Sequence, residues 1–145
     1  MIIEPLKSED VEKVAVACVE YAREIGESYD EDYILSMLSR YSDGGLPILV
    51  AKDKAGEVIG VSAFVCIPHL YNPAIMQARE CIWHTSPKLN KVLRARIQLR
   101  LLSLMVETCA KMGISLHIGV NEGYEKILER AGFTKKNIMY VRETE

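Results

Sequence analysis

The sequence has little of the glycine and proline that mark fibrous and low-complexity chains, with 9 Gly and 5 Pro among 145 residues. A collagen-like or Pro/Gly-rich repeat is therefore excluded. Charge imbalance is also small, since 18 Lys+Arg against 20 Asp+Glu give a formal net charge of −2, and hydrophobic residues make up 49%. Disorder needs low hydrophobicity and a large net charge. The composition therefore predicts a single folded domain over residues 1–145.

Long apolar runs and paired cysteines are missing as well. No window reaches the roughly 18 consecutive apolar residues that a membrane span requires, and the first residues lack the pattern of a secretory signal. The cysteines Cys18, Cys66, Cys81 and Cys109 are far apart and form no CxxC pair, so reduced thiols in a cytoplasmic protein are the simplest interpretation. The near-zero net charge argues against nucleic-acid binding by bulk electrostatics.

Hydrophobic spacing predicts strands that alternate with helices. Helical spacing together with capping residues predicts four helices, which begin at Ser8 or Asp10, after Asp30, at Pro87 and after Asn121. Short branched or alternating runs predict six strands, at residues 1–4, 47–52, 58–67, 75–85, 116–120 and 133–142. The resulting order, β-α-α-β-β-β-α-β-α-β, predicts an α/β (α+β) fold with a mixed central sheet and helices on both faces.

This order and several motifs resemble the GNAT (GCN5-related N-acetyltransferase) family over essentially the whole chain. The strongest stretch is 78–141, where a strand ends before Pro87, a long helix follows, and Ile-Gly-Val-Asn stands at 118–121. Ile-Leu-Glu-Arg-Ala-Gly-Phe at 127–133 is similar to the ending common in the family, and 137–141 resembles bacteriophage-encoded members in particular. The resemblance implies transfer of an acetyl group from acetyl-CoA to an amine of a small molecule or protein.

The resemblance also implies where acetyl-CoA binds. Family members hold it between two parallel strands that splay apart, here 75–85 and 116–120, so that Ile82, Trp83 and His84 offer unpaired backbone groups to the pantetheine amides. The pyrophosphate lies at the amino end of the long helix, where free N–H groups and the helix dipole favour an anion. The remaining cofactor-binding residues implied by the resemblance are Lys88, Asn90, Lys91, Arg94, Ala95 and Asn121.

The loop before the long helix departs from the family pattern Arg/Gln-x-x-Gly-x-Gly/Ala, since only Ala95 fits among residues 90–95. Glycines there let phosphates approach bare backbone N–H groups. Basic side chains can hold phosphates in their place. The available ones are Lys88, Lys91, Arg94, Arg96 and Arg100. A solvated helix face and docking to an acidic protein or nucleic acid are the other interpretations of this charge.

Three residues are candidates for the chemistry. Glu80 is the candidate general base, because a mid-strand position in partly apolar surroundings raises a carboxyl pKa; the alternative is a Glu paired with a neighbouring cation. His84, at the strand end, is a second candidate base or else a hydrogen-bonded edge histidine. Many family members have a general-acid Tyr at the position that Leu128 occupies in this chain. Tyr124 lies one turn earlier and takes that role only if the helix is shifted; otherwise it is a packing residue. No metal site is expected, because structural zinc needs four converging ligands.

Two functions stay open at this point. The first is an active N-acetyltransferase whose partners are acetyl-CoA and an amine acceptor. The second is a catalytically inactive GNAT-fold structural or assembly protein, associated with protein partners or with copies of itself, in a phage virion. Loss of the loop glycines and of the usual Tyr motivates the second. The enzyme hypothesis requires a wedge-shaped gap between two neighbouring strands that neither Trp83 nor Leu93 fills.

Overall fold

The structure, a computed structural model, describes residues 1–42, 44, 46–119, 123–136 and 142. Within these residues the order of elements matches the sequence prediction as far as the fourth helix. The elements are β1 (Ile2–Pro5), α1 (Val11–Glu24), α2 (Glu31–Tyr41), β2 (Ile48–Lys52), β3 (Val58–His69), β4 (Asn72–Thr85), α3 (Lys91–Met112), β5 (Ser115–His117) and α4 (Glu125–Arg130). Of the final strand predicted at 133–142, residues 133–136 are irregular and 137–141 lie outside the described residues.

The strands form a mixed sheet in the order β1-β2-β3-β4-β5. Neighbours from β1 to β4 are antiparallel, whereas β4 and β5 are parallel. The parallel pair is joined by α3, as a parallel connection requires a long crossover. The predicted α/β (α+β) class with a mixed central sheet is confirmed.

Helices cover both faces of this sheet, as predicted. On one face, Val14 of α1 and Leu38 of α2 pack with Val50 and Val61 of the sheet. On the other face, α3 and α4 pack over the sheet in a second cluster. Its largest fully buried members are Phe64, Ile97, Leu101, Leu102 and Met105.

The β3–β4 hairpin is longer than the sequence predicts. The prolines at positions 68 and 73 indicated a loop over 69–73, but only Leu70 and Tyr71 separate the two strands. Beyond Ala63 in β3 and before Gln77 in β4, the described ladders place a neighbouring strand on one side of the hairpin only. Proline is tolerated on such edges because no ladder donor is needed on the open side.

The helix starts also differ in detail from the prediction. Asp10 makes no side-chain cap at the start of α1; its carboxylate instead pairs with Lys52 at 2.6 Å. Together with Glu4, Asp10 raises the pKa of Lys52 to about 12. The long helix begins at Lys91 rather than Pro87, because Asn90 caps it by accepting a hydrogen bond from the Leu93 N–H at 2.9 Å.

The contact between α3 and the sheet depends on the absence of a side chain at Gly60. A Cβ at this position of β3 would lie 2.9 Å from Ile97 Cγ2, 3.1 Å from Leu101 Cδ1 and 3.3 Å from the His84 carbonyl oxygen. Ile97 and Leu101 are fully buried and have no open space into which to move.

Gly60→Ala is therefore expected to lower the free energy of unfolding by about 1–3 kcal/mol, as overpacked cores do. Chemical denaturation of the two proteins measures the difference. Gly119→Ala is the matched control, because nothing lies within 4 Å of its added methyl group; this variant should be as stable as the wild type or slightly more so. Equal stability of Gly60→Ala and the wild type would contradict the close approach of α3.

Candidate active site

The parallel strands β4 and β5 separate part-way along their length. They pair at Gln77–Ser115, Ala78–Leu116 and Arg79–His117. Beyond this last pair β4 continues to Thr85, whereas β5 ends at His117. On the β5 side, the backbone of residues 80–85 therefore has no strand partner among the residues that the structure describes. The ladder between β4 and β5 therefore ends where the sequence prediction requires the strands to separate. We call the space beside residues 80–85 of β4 the opening, and Ile82, Trp83 and His84 border it along β4.

A β-bulge in β4 lies where the strands separate. Ala63 of β3 faces Ile82 and the next residue, Phe64, faces Glu80, so Cys81 is an extra residue in β4. A bulge bends its strand and interrupts the alternation of side chains. Strict alternation would place Ala78 and Ile82 on one face, but Ala78 packs with the α3 cluster and Ile82 with the α1 cluster. Strict alternation along the strand predicts that Ala78, Glu80 and Ile82 share one face of the sheet, and this prediction is therefore wrong.

The bulge turns Glu80 towards α1. The Tyr21 hydroxyl of α1 donates a hydrogen bond to Glu80 Oε1 at 3.0 Å, and the backbone N–H of Gly119, just after β5, acts on the same carboxylate. Both groups lower the pKa of Glu80, but burial outweighs them and leaves it above the ordinary value. The described contacts of Glu80 include no Lys or Arg, which favours the candidate base over the paired-ion alternative.

His84 lies between two carboxylates of α1. Its Nδ1 is 3.1 Å from Glu24 Oε2 and its Nε2 is 3.2 Å from Glu20 Oε2, and the residue is only 3% exposed. Because both ring nitrogens are engaged, neither is directed at the opening. Of the two alternatives that the sequence left open for His84, this geometry favours the hydrogen-bonded edge histidine. Glu80 is therefore the better-placed base.

Tyr124 stands at the first turn of α4, beside the opening. Its ring centroid is 5.4 Å from that of Trp83, and its hydroxyl accepts a hydrogen bond from Gln98 Nε2 at 3.1 Å. Tyr124 therefore packs on the α3 side, against Trp83 and Gln98.

Trp83 is held against α3 and not in the plane of the sheet. Its Nε1–H donates to the Gln98 carbonyl oxygen at 2.9 Å, and its ring belongs to the cluster around Ile97 and Leu101. Leu93 packs against the same cluster. Trp83 and Leu93 thus both pack on the α3 face of the sheet, with Trp83 next to the opening.

The start of α3 borders an open cavity of about 530 Å³. The residues that line it are Asn90, Lys91, Val92, Leu93 and Arg96. Asn90 already occupies the Leu93 N–H, while the N–H groups of Lys91 and Val92 precede the first intrahelical bonds. This geometry places Asn90 and Lys91 at the cavity and adds Arg96, which the resemblance did not single out.

Arg94 is directed elsewhere. Its Nε and Nη2 lie 3.3 and 3.4 Å from Thr85 Oγ1 and the Thr85 carbonyl oxygen, and Nη2 is 3.7 Å from Glu24 Oε1. Arg94 thus joins α3 to the end of β4 and to α1. Neither Ala95 nor the exposed Lys88 lines the cavity, and Asn121 lies outside the described residues.

Two residues at this site have no place in the sequence prediction, Tyr21 and Gln98. Gln98 is a polar residue inside the buried stripe of a helix, which is a weak signal of a specific partner. Tyr21 lies next to Glu20 and one turn from Glu24 on an amphipathic helix, a pattern that ordinary surface helices share. Pairing of Tyr21 with Glu80 depends on the bulge, which the sequence does not reveal.

Among the residues that the structure describes, no group of three or more His, Cys, Asp or Glu side chains is arranged to hold a metal ion. None of the helices in these segments is both long and apolar enough to traverse a bilayer.

Comparison with known proteins gives structural matches only. No protein-family model and no curated protein sequence matches the chain. Solved structures do match: a "probable acetyltransferase" aligns over 100% of both chains with a TM-score of 0.78 and 15% identity. Glucosamine-6-phosphate N-acetyltransferase from Arabidopsis thaliana covers 99% of this chain and 98% of its own, with a TM-score of 0.76 and 10% identity.

A third match is a "predicted acetyltransferase with acetyl-CoA" from Clostridium acetobutylicum, with a TM-score of 0.75, 11% identity, and coverage of 98% of this chain and 95% of its own. These identities are too low to carry an activity from one chain to another, but near-complete coverage at such TM-scores establishes the architecture. With its parallel strands splayed beside a β4 bulge, this chain has a divergent GNAT fold, the fold of the acetyltransferases that it matches.

Proposed function

We propose that this protein is an N-acetyltransferase that moves the acetyl group of acetyl-CoA to an amine. The single observation that carries the proposal is the opening between β4 and β5, which begins directly beside the half-buried carboxylate of Glu80. The fold of the matched acetyltransferases supports it, as does the acetyl-CoA named for the Clostridium protein.

The free edge of β4 suits an extended ligand that carries amides. Backbone groups buried without a partner are costly, and the residues of β4 that line the opening, 80–85, include Ile82, Trp83 and His84, which are buried. A pantetheine arm laid along this edge would supply the missing hydrogen bonds as an added strand does.

The phosphates of CoA would lie in the cavity at the start of α3. The N–H groups of Lys91 and Val92 and the side chains of Lys91 and Arg96 face this space from one helix end. The first turn contains no acidic residue, so its basic charge opposes the helix dipole until an anion is present. Side chains thus take over the role that loop glycines have in the family.

The chemistry needs a proton acceptor for the incoming ammonium and a donor for the departing thiolate. Glu80 takes one proton of the ammonium, the freed amine nitrogen attacks the thioester carbonyl carbon, and the carbon–sulfur bond breaks as the amide forms and the nitrogen releases its second proton to water. Tyr124 gives its hydroxyl proton to the departing sulfur, since Gln98 Nε2 donates to its oxygen and leaves that proton free. Water then takes up the proton held by Glu80 and reprotonates Tyr124, which restores both residues.

The assembly-protein alternative has less in its favour. An open strand edge and a basic cavity at a helix start are features that a transferase uses and a scaffold does not need.

Trp83 offers a direct test of donor binding, because it is the only tryptophan in the chain and lies next to the opening. Titration with acetyl-CoA is expected to change its emission in a saturable way at micromolar concentrations. ADP is the control, because it shares the ultraviolet absorption of CoA but has no pantetheine arm, and it should leave the emission unchanged. Absence of both a fluorescence change and a calorimetric signal at millimolar acetyl-CoA would overturn the proposed function.

Arg96 and Arg100 provide a matched pair for the phosphate site. Both are exposed arginines on α3, one helical turn apart, but only Arg96 lines the cavity. Arg96→Ala is expected to weaken acetyl-CoA binding about tenfold, the effect of one charge-assisted hydrogen bond, while Arg100→Ala should leave the Kd nearly unchanged. Calorimetry measures both, and equal effects of the two changes would show that only net charge matters.

Glu80→Gln tests the base and keeps the shape of the side chain. The turnover number is expected to fall by roughly 10²–10⁴, the usual contribution of general base catalysis, with little change in acetyl-CoA affinity. Burial raises the pKa of Glu80, so wild-type kcat/KM should fall as the pH drops through a value above that of an ordinary glutamate. Glu107→Gln, on the exposed face of α3, is the control, and an unaltered acid limb in Glu80→Gln would exclude Glu80 as the base.

A further inference from the structure

Helix α1 supplies the polar side chains that meet β4 on the side of Glu80. Tyr21, Glu20 and Glu24 belong to its last turns, and each lies within hydrogen-bond distance of a polar group on β4. Glu20 and Glu24 reach His84, whereas Tyr21 reaches Glu80. One helix thus contacts both Glu80 and His84, the polar side chains of β4 beside the opening.

The Tyr21 ring is held in place from two directions. It packs among the apolar side chains between α1 and the sheet, and its centroid lies 5.9 Å from that of the His84 ring, tilted by 57°. His84 is itself fixed by Glu20 and Glu24 of the same helix. A side chain with its ring fixed in this way holds its hydroxyl at one point in space.

That hydroxyl acts as a donor. Burial, together with the Glu80 carboxylate, raises the pKa of Tyr21 well above its usual range, so the phenol keeps its proton at neutral pH. A protonated phenol 3.0 Å from a carboxylate oxygen makes a charge-assisted hydrogen bond, which is stronger than one between neutral groups. A carboxylate has about four lone-pair sites, so Glu80 keeps sites free for an incoming ammonium.

We propose that Tyr21 is a positioning residue for Glu80, which fixes the carboxylate beside the opening in the orientation that proton removal requires. This inference rests on the proposed function. Gly119 also acts on Glu80, but through the backbone N–H that follows β5, whereas Tyr21 approaches from α1 with a side-chain hydroxyl.

The groups around Glu80 define what the test must separate. Glu80 is faced by Tyr21 from α1, by the Gly119 N–H after β5 and by the neighbouring Cys81 thiol, while Glu24, His84 and Tyr124 lie around Tyr21. Burial and the negative charge of Glu80 raise the pKa of the Cys81 thiol, which keeps that thiol neutral. Among the described residues, the Tyr21 hydroxyl is the side chain that donates a hydrogen bond to Glu80. Removing this hydroxyl should therefore affect Glu80 more than any other group.

Tyr21→Phe removes this hydroxyl and keeps the ring. The turnover number is expected to fall about tenfold, and the acid limb of kcat/KM should move to higher pH by about one unit, because a carboxylate that loses a hydrogen-bond donor is protonated more easily. The KM for acetyl-CoA should not change. Tyr71→Phe, at the exposed tip of the β3–β4 hairpin, is the control and should match the wild type in all three quantities.

Two further measurements separate positioning from a loss of structure. In the Glu80→Gln background, Tyr21→Phe should have almost no additional effect on turnover, as the coupling of contacting residues requires. Carbon-13 NMR titration of the Glu80 carboxyl group reads its pKa without any substrate, and this pKa should rise in Tyr21→Phe.

The outcomes distinguish a failure of the proposed role of Tyr21 from a failure of the proposed function. An unchanged Glu80 pKa in Tyr21→Phe, or additive losses in the double variant, would overturn the role of Tyr21. A raised pKa in a protein that transfers no acetyl group to any amine would overturn the proposed function and leave the Tyr21–Glu80 contact supported.

Discussion

The structure depends on one interruption of backbone pairing, where β4 gains an extra residue as its parallel neighbour departs. The last pair between β4 and β5 is Arg79–His117, and the bulge at Cys81 follows within two residues. A bulge raises the local twist of a strand and disturbs its ladder, so the bend in β4 and the separation from β5 occur together. The same bulge reverses the side-chain alternation and turns Glu80 from the α3 face to the α1 face. The opening and the half-buried carboxylate beside it thus have a common origin.

Polar groups around the opening come from three helices, α1 on one face of the sheet and α3 and α4 on the other. Helix α1 contributes Tyr21 and the carboxylates that hold His84, α3 contributes Gln98 and the basic cavity, and Tyr124 directly precedes α4. Arg94 joins α3 to α1 through Thr85 and Glu24. Helix α1 is anchored in one apolar cluster and α3 and α4 in the other, and the polar contacts meet along the last residues of β4.

The sequence predicts most of the fold because hydrophobic period and capping residues are local signals. Asp30 accepts a hydrogen bond from the Tyr33 N–H at the start of α2, and Gly113 ends α3 in the left-handed conformation, both at the positions that the pattern indicates. The length of the β3–β4 hairpin could not be predicted, because proline is excluded only where a strand has partners on both sides. The site was harder to predict. Glu80 could be named from its place in a strand, but its partner Tyr21 lies 59 positions away in sequence and meets it only because of the bulge.

The topology also constrains the order in which this architecture can assemble. Strands β2, β3 and β4 are consecutive hairpins with short turns, and local pairings of this kind form at low entropic cost. The β4–β5 pair instead requires the chain to close a loop that contains all of α3, and this closure forms a ladder of only three described residue pairs. The opening beside β4 is therefore created by one of the most weakly stabilised steps of folding, and any ligand that bridged its two sides would stabilise the native state more than its small contact area suggests.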